Sequence, residues 1–374
     1  MGILPAAEEA RIMTSPFQRA IRIDGEALLR NLRREGTPER VHFLDLYLDW
    51  EVQVALDERY GVWEGIDPND PLAGPKRHVA MQRFLGYDHA TWGLTGIDWP
   101  LNRETAEDTA DLRREGGRSF VNEHVGPITD WESFERYPWP CADDADDSGL
   151  AYLSRELPDD MLLVGGLCGH IAENLTWLMG YETLCYALFD APDLVRAISD
   201  RIIDFERRYV ERLLSYDRVQ AVFASDDMGF RTGTLIGPDD LRRYVLPGHR
   251  ELSRMAHDSG RQYWLHSCGK LDEILPDLLD DVRIDARHSF EDVIQPVTEA
   301  KRLHGDRVAL LGGIDMDFLC RATESQVRQR VRETLDVCQP GGGYCLGTGN
   351  SVANYLPLDN YLAMLDEGRL YGST

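Results

Sequence analysis

From Met161 onward the chain repeats one unit: a run of three to six mostly apolar residues, a polar or glycine-rich stop, then a helix-like stretch. The runs fall at 161–164, 219–224, 262–266, 282–286, 308–311 and 344–346. The helical stretches lie at 173–188, 192–214, 239–259, 271–279, 324–337 and 360–367. Strands this short, without polar alternation, are buried on both faces, as in a parallel sheet clothed by helices. Six strands are read here, with one or two more before Pro140. That total predicts an α/β chain folded as a (β/α)8 TIM barrel. A doubly wound open sheet is the alternative, but no GxGxxG opens a helix after the first strand.

The barrel is expected over 41–374, starting with an apolar run near 41–48, and residues 1–40 read as a polar, partly helical extension. Residues 61–140, rich in Trp, Pro, Gly and Asp, read as irregular covering structure. Arg77, His78 and Arg83 are its candidate cations for an anionic substrate, although singly each is more simply a solvated charge. Asp143, Asp144, Asp146 and Asp147 lack the closing Glu of a calcium loop and read as a solvated turn.

Lys and Arg total 40 against 65 Asp and Glu, a net charge of −25. That excess disfavours nucleic acid and anionic membrane as partners. Seven cysteines, an odd number with no CxxC pair, suit a reducing compartment. With no apolar signal core and no spanning run, a cytoplasmic location is expected.

In a barrel of this kind the chemistry sits at the carboxyl ends of the strands. Here those ends carry His170, Asp226 and Asp227, His266 and Cys268, Arg287, His288 and Glu291, Asp315, and Cys345. His266 and Cys268 are two apart, so an extended segment presents both on one side. An imidazole and a thiol together are two ligands for zinc. Cys345, ending a later strand, is the third candidate. The plain alternative is a strand-end histidine and two small core cysteines.

Several segments, taken together and in order, resemble the uroporphyrinogen decarboxylase superfamily. They are Gly169-His170-Ile171-Ala172-Glu173-Asn174-Leu175, Leu178-Met179-Gly180-Tyr181-Glu182, Asp226-Asp227-Met228-Gly229, His266-Ser267-Cys268-Gly269, Leu311-Gly312-Gly313-Ile314-Asp315, and Gly342-Gly343-Tyr344 ahead of Leu356-Pro357-Leu358-Asp359-Asn360. The resemblance implies a (β/α)8 barrel and two candidate chemistries. The tetrapyrrole decarboxylases carry an arginine-rich segment near the N terminus; the corresponding stretch here reads Leu46-Tyr47-Leu48-Asp49-Trp50-Glu51. A pocket for many carboxylates needs those arginines.

The branch it resembles more is that of the zinc-dependent methyltransferases. These move a methyl group between a corrinoid or small methylated donor and a thiol. The resemblance then implies Zn2+ held by His266, Cys268 and Cys345, with Glu291 as fourth ligand. Asn350 falls near the family's distant cysteine position, but an amide is a poor zinc ligand, which favours Cys345. Asp226, Asp227 and His170 become the catalytic candidates, and Asp315 and Asn350 the candidates for cofactor contact. A small thiol or methyl donor and a corrinoid carried on a partner protein are the expected partners, and a homodimer stays open. A decarboxylase-like lyase without zinc and a catalytically silent binding barrel are the alternatives.

Overall fold

The computed structural model describes residues 15–373. Its centre is a curled sheet of eight strands: β1 (His42–Phe43), β2 (His89–Trp92), β3 (Leu162–Cys168), β4 (Val219–Ser225), β5 (Gln262–His266), β6 (Ala286–His288), β7 (Ala309–Leu311) and β8 (Tyr344–Leu346). Each strand pairs parallel with its sequence neighbour, except that β1 joins β8 and not β2. The expected strand number is present, but among the described residues no backbone ladder closes β1 onto β2.

Side chains bridge that seam. Asp88, just before β2, meets His42 of β1 at 2.7 Å and also pairs with Arg40. Asp45, just after β1, accepts from the Tyr87 hydroxyl, from Tyr361 at 3.2 Å and from the Thr348 amide at 2.6 Å.

Inward-pointing side chains fill the space the sheet encloses. Val164, Phe223, Trp264, Ala286, Ala309, Leu311 and Cys345 pack there with Leu28 and Leu32. The last two come from α1 (Gly25–Leu32), whose N-terminus is capped by the Asp24 carboxylate accepting from Ala27 N at 2.8 Å. Leu28, Asn31 and Leu32 share one helical face and are all buried. The Asn31 amide donates to the Tyr344 carbonyl at 2.7 Å, and Gly25 N donates to Asp160 O at 2.8 Å. Helix α1 is therefore a plug at the end where the strands begin, leaving their carboxyl ends for chemistry.

Three local readings change. Residues 61–140 supply both β2 and a helix, α2 (Ala73–Leu85), together with an exposed antiparallel hairpin, Arg103–Ala106 with Arg118–Val121. The helix expected over 173–188 is two, α3 (Ile171–Met179) and α4 (Tyr181–Asp190). They break at Gly180 (φ 76), where a Cβ would sit 2.6 Å from the His124 carbonyl oxygen, so only glycine lets that loop approach. Finally, the strand expected at 282–286 begins at Ala286, because residues 278–282 are still helical. That shift puts Arg287 and His288 inside β6 and sets His288 beside His266 in register.

Arg83 pairs with Asp160 at 2.7 Å, Arg77 lies over the Trp63 ring at 5.0 Å, and half-buried His78 packs against Trp92. No described helix is long and apolar enough to cross a membrane.

Candidate metal centre at the strand ends

Strand β5 stops at His266, and the chain turns through Ser267, Cys268 and Gly269. Gly269 has φ 88, and a Cβ there would fall 2.1 Å from the Gly229 carbonyl carbon, so the turn closes against backbone only as glycine. The neighbouring β4 end is tied to it twice. Cys268 N donates to Asp227 Oδ1 at 3.0 Å, and Met228 N donates to Ser267 Oγ at 3.1 Å.

This lacing gathers Asp227, His266 and Cys268, whose ligating atoms all lie within 4.8 Å of one another; it is the one such group of three among the described residues. His266 Nε2 is 3.4 Å from Cys268 Sγ and 3.6 Å from Asp227 Oδ1. A tetrahedral zinc with ordinary bond lengths separates its N, O and S ligands by roughly 3.3–3.6 Å. The two spacings from His266 Nε2 match edges of that tetrahedron.

The partner of His266 completes it as a donor. Its Nδ1 lies 2.6 Å from Nδ1 of His288, which is wholly buried. Burial, and then His266 itself, push the His288 pKa well down, so His288 is neutral with a single proton. The Thr348 backbone works the other way, but does not reverse the effect. Without a metal, His266 Nε2–H can donate to Asp227; in the tautomer whose Nδ1–H donates to His288 Nδ1, the Nε2 lone pair is free for a cation beside Cys268 and Asp227.

Burial raises the Cys268 thiol pKa, the Asp227 carboxylate adds to this, and Asn350 Nδ2 at 3.4 Å works the other way. Burial also opposes the Asp227 charge, but His266 and the Cys268 N–H hold its pKa below the usual carboxylate value. A thiol kept protonated beside a carboxylate would ionise in the presence of a divalent cation, so the donor chemistry fits one.

A cavity of 360 Å³ opens over the three, walled by His170, Glu173, Asn350 and the rings of Tyr47, Trp99 and Trp177. His170 Nδ1 lies 2.7 Å from Glu173 Oε2. Burial works against charge on both. The Glu173 pKa rises to about 7, while Glu173, Glu206 and Asp226 carry His170 up to about 9.

The other sequence candidates lie elsewhere. Asp226 is wholly buried, and its carboxylate accepts from Ala172 N (2.8 Å), Glu173 N (2.9 Å) and His249 Nε2 (2.9 Å). It holds the start of α3 in place and does not reach the cavity. Cys345, expected as third ligand, is at the plugged end of the sheet with Asn31 Nδ2 3.7 Å from its sulfur, outside the donor group. Asp227, not Cys345, completes the group of three, because an inward-pointing residue can lie low in the enclosed core as well as at its rim. Glu291 and Asp315 line a neighbouring cavity of 810 Å³ that shares Asn350 with the first. Asp315 is engaged there in capping, accepting from Phe318 N and Asp292 N, both at 2.9 Å. His288 was named only as a strand-end residue; placing the start of β6 correctly would have pointed it at His266.

Residues 148–371 match the family described as uroporphyrinogen decarboxylase (URO-D). Over 317 residues the chain is 29% identical to a methylated-thiol–coenzyme M methyltransferase of Methanosarcina mazei, covering 77% of each. Over 132 residues it is 28% identical to a methylcobamide:CoM methyltransferase of Methanosarcina barkeri, covering 35% of this chain and 36% of that one. A solved methyltransferase structure from Methanosarcina mazei superposes with a TM-score of 0.63 over 93% of this chain and 98% of that one. At 16% identity that likeness speaks for the fold alone.

Proposed function

Since the chain belongs to the uroporphyrinogen decarboxylase family and its relatives are methyltransferases, we propose that it is a zinc-dependent enzyme moving a methyl group to a thiol. The observation that carries this reading is the gathering of Asp227, His266 and Cys268 within 4.8 Å of one another beneath a small aromatic cavity. These three residues would hold the ion. Three protein donors leave a tetrahedral ion one further position, as catalytic zinc sites do. When bound, zinc supplies the charge that lets a thiol exist as thiolate near neutral pH.

The rest is done by the chain. His288 orients His266, the Asn350 amide rests on the Cys268 sulfur, and the aromatic wall excludes water while aligning donor and acceptor. His170 and Glu173 face the acceptor and can hold its proton. The methyl group arrives on a small donor or on the corrinoid of a separate protein. A tetrapyrrole with many carboxylates would find no Arg or Lys on this wall. Uroporphyrinogen is accordingly expected to show no turnover to coproporphyrinogen under anaerobic conditions; measurable product would favour the decarboxylase reading.

Protein purified without chelator is expected to hold about one zinc per chain and to demethylate methylcobalamin in the presence of a thiol. Less than about half an equivalent, with no uptake on reconstitution, would sink the reading. His288→Phe keeps the ring's bulk but removes the acceptor for His266, and is expected to weaken zinc binding by roughly 10–100-fold. Competition against a chromophoric chelator measures it. Unchanged affinity would mean that His288 only fills space.

A further inference from the structure

Three aromatic rings wall the cavity above the candidate ligands, and holding a metal gives them no task. Trp99 is fixed by Phe205 at 5.1 Å and Trp139 at 6.3 Å, so its place does not depend on what enters. Trp177 lies one turn after Glu173 on α3, and residues four apart share a helix face. Tyr47 is 49% exposed at the mouth, within electrostatic reach of both Glu173 and Cys268. The charged and titratable groups on the wall are His170, Glu173, Asp227, His266 and Cys268; no Lys or Arg is among them. Buried Glu206 and Asp226 act on His170 from behind.

Electron-rich rings with carboxylates among them attract a diffuse, weakly hydrated cation, and cages of this kind take methylated ammonium groups. A bound zinc would be balanced by Asp227 and the Cys268 thiolate, which leaves Glu173, beside His170, as the carboxylate facing what enters. We propose that the cavity receives a methylated onium group, a quaternary ammonium or a methylsulfonium, against Tyr47, Trp99 and Trp177 with Glu173 as counter-ion. This deepens the methyl-transfer reading above and rests on it, making the onium compound the small methyl donor. In the transfer the C–N or C–S bond breaks and its electron pair stays on nitrogen or sulfur. A neutral amine or thioether leaves, and the acceptor thiolate's pair forms the new S–C bond, so one positive and one negative charge cancel.

The test is a calorimetric titration of the zinc-loaded protein with choline, with its uncharged carbon isostere 3,3-dimethylbutan-1-ol, and with ethanesulfonate. Choline is expected to bind at least roughly tenfold more tightly than the isostere, with ethanesulfonate not binding. Trp177→Leu should remove most of that preference and leave isostere affinity within about threefold, while Trp177→Phe keeps much of it. Equal affinity for choline and isostere, tighter binding of the sulfonate, or an unchanged preference in Trp177→Leu would each overturn the assignment. Zinc content is read on the same samples. Full zinc and methyl transfer from methylcobalamin without onium preference would remove this inference alone and leave the metal site standing.

Discussion

Cys268→Ser is expected to empty the metal site. Cys268 is the one thiolate source among the three gathered donors, and a serine hydroxyl neither ionises near neutral pH nor matches zinc's preference for sulfur and nitrogen. Zinc should fall from about one equivalent to under roughly a tenth, and thiol methylation should drop by about a thousandfold or more. The fold should survive, because the turn is held by the Cys268 backbone N–H on Asp227 and by Ser267, not by the sulfur. Cys345→Ser is the matched control. Its sulfur lies against Asn31 inside the plugged end of the sheet, so zinc should be retained in full. Metal analysis beside a thermal melt separates the two variants. Loss of zinc in Cys345→Ser, with retention in Cys268→Ser, would reinstate the ligand set read from strand ends and refute the one described here.

Asp226→Ala should damage folding more than chemistry. Three donors converge on that carboxylate from α3 and from His249 on the helix Leu246–Asp258, in a site with no access to solvent. Removing it leaves two amides and an imidazole buried without an acceptor, a loss of about 3–5 kcal/mol. The urea midpoint should fall accordingly, and Asp226→Asn, which keeps one acceptor oxygen, should fall less. Asp227→Ala, one residue on, should show the reverse balance: a smaller stability loss, from the Cys268 N–H left without its acceptor, and weakened zinc. If Asp226→Ala keeps its urea midpoint but loses methyl transfer, Asp226 belongs to the reacting site as first read.

The strands with apolar cores were legible because burial on both faces leaves an unbroken hydrophobic run; 161–164 and 308–311 are such cases. Strand β2 was not, because His89-Ala90-Thr91-Trp92 carries no such run and follows a region of turn residues. Helix breaks such as Gly180 depend on how closely a distant loop approaches, which no local pattern records. In the site, His266 and Cys268 were readable from spacing, since both sit on one segment. Asp227 was read as catalytic but not as a ligand, because its nearness to His266 comes from the pairing of β4 with β5. The depth of Cys345 was not readable for a related reason: parity predicts that a side chain points inward but not how deep it lies.

The plug helix has a consequence for how the protein is made. Leu28 and Leu32 leave the ribosome early, but Asn31 finds its partner, the Tyr344 carbonyl, 313 residues later. At about 5–20 residues per second, the interval is roughly 15–60 s of synthesis during which the seat of α1 is incomplete. Pairing this distant in sequence slows folding and leaves apolar surface open to other nascent chains. Chains truncated before Tyr344 are therefore expected to accumulate on chaperones or in aggregates, however complete their other seven strands.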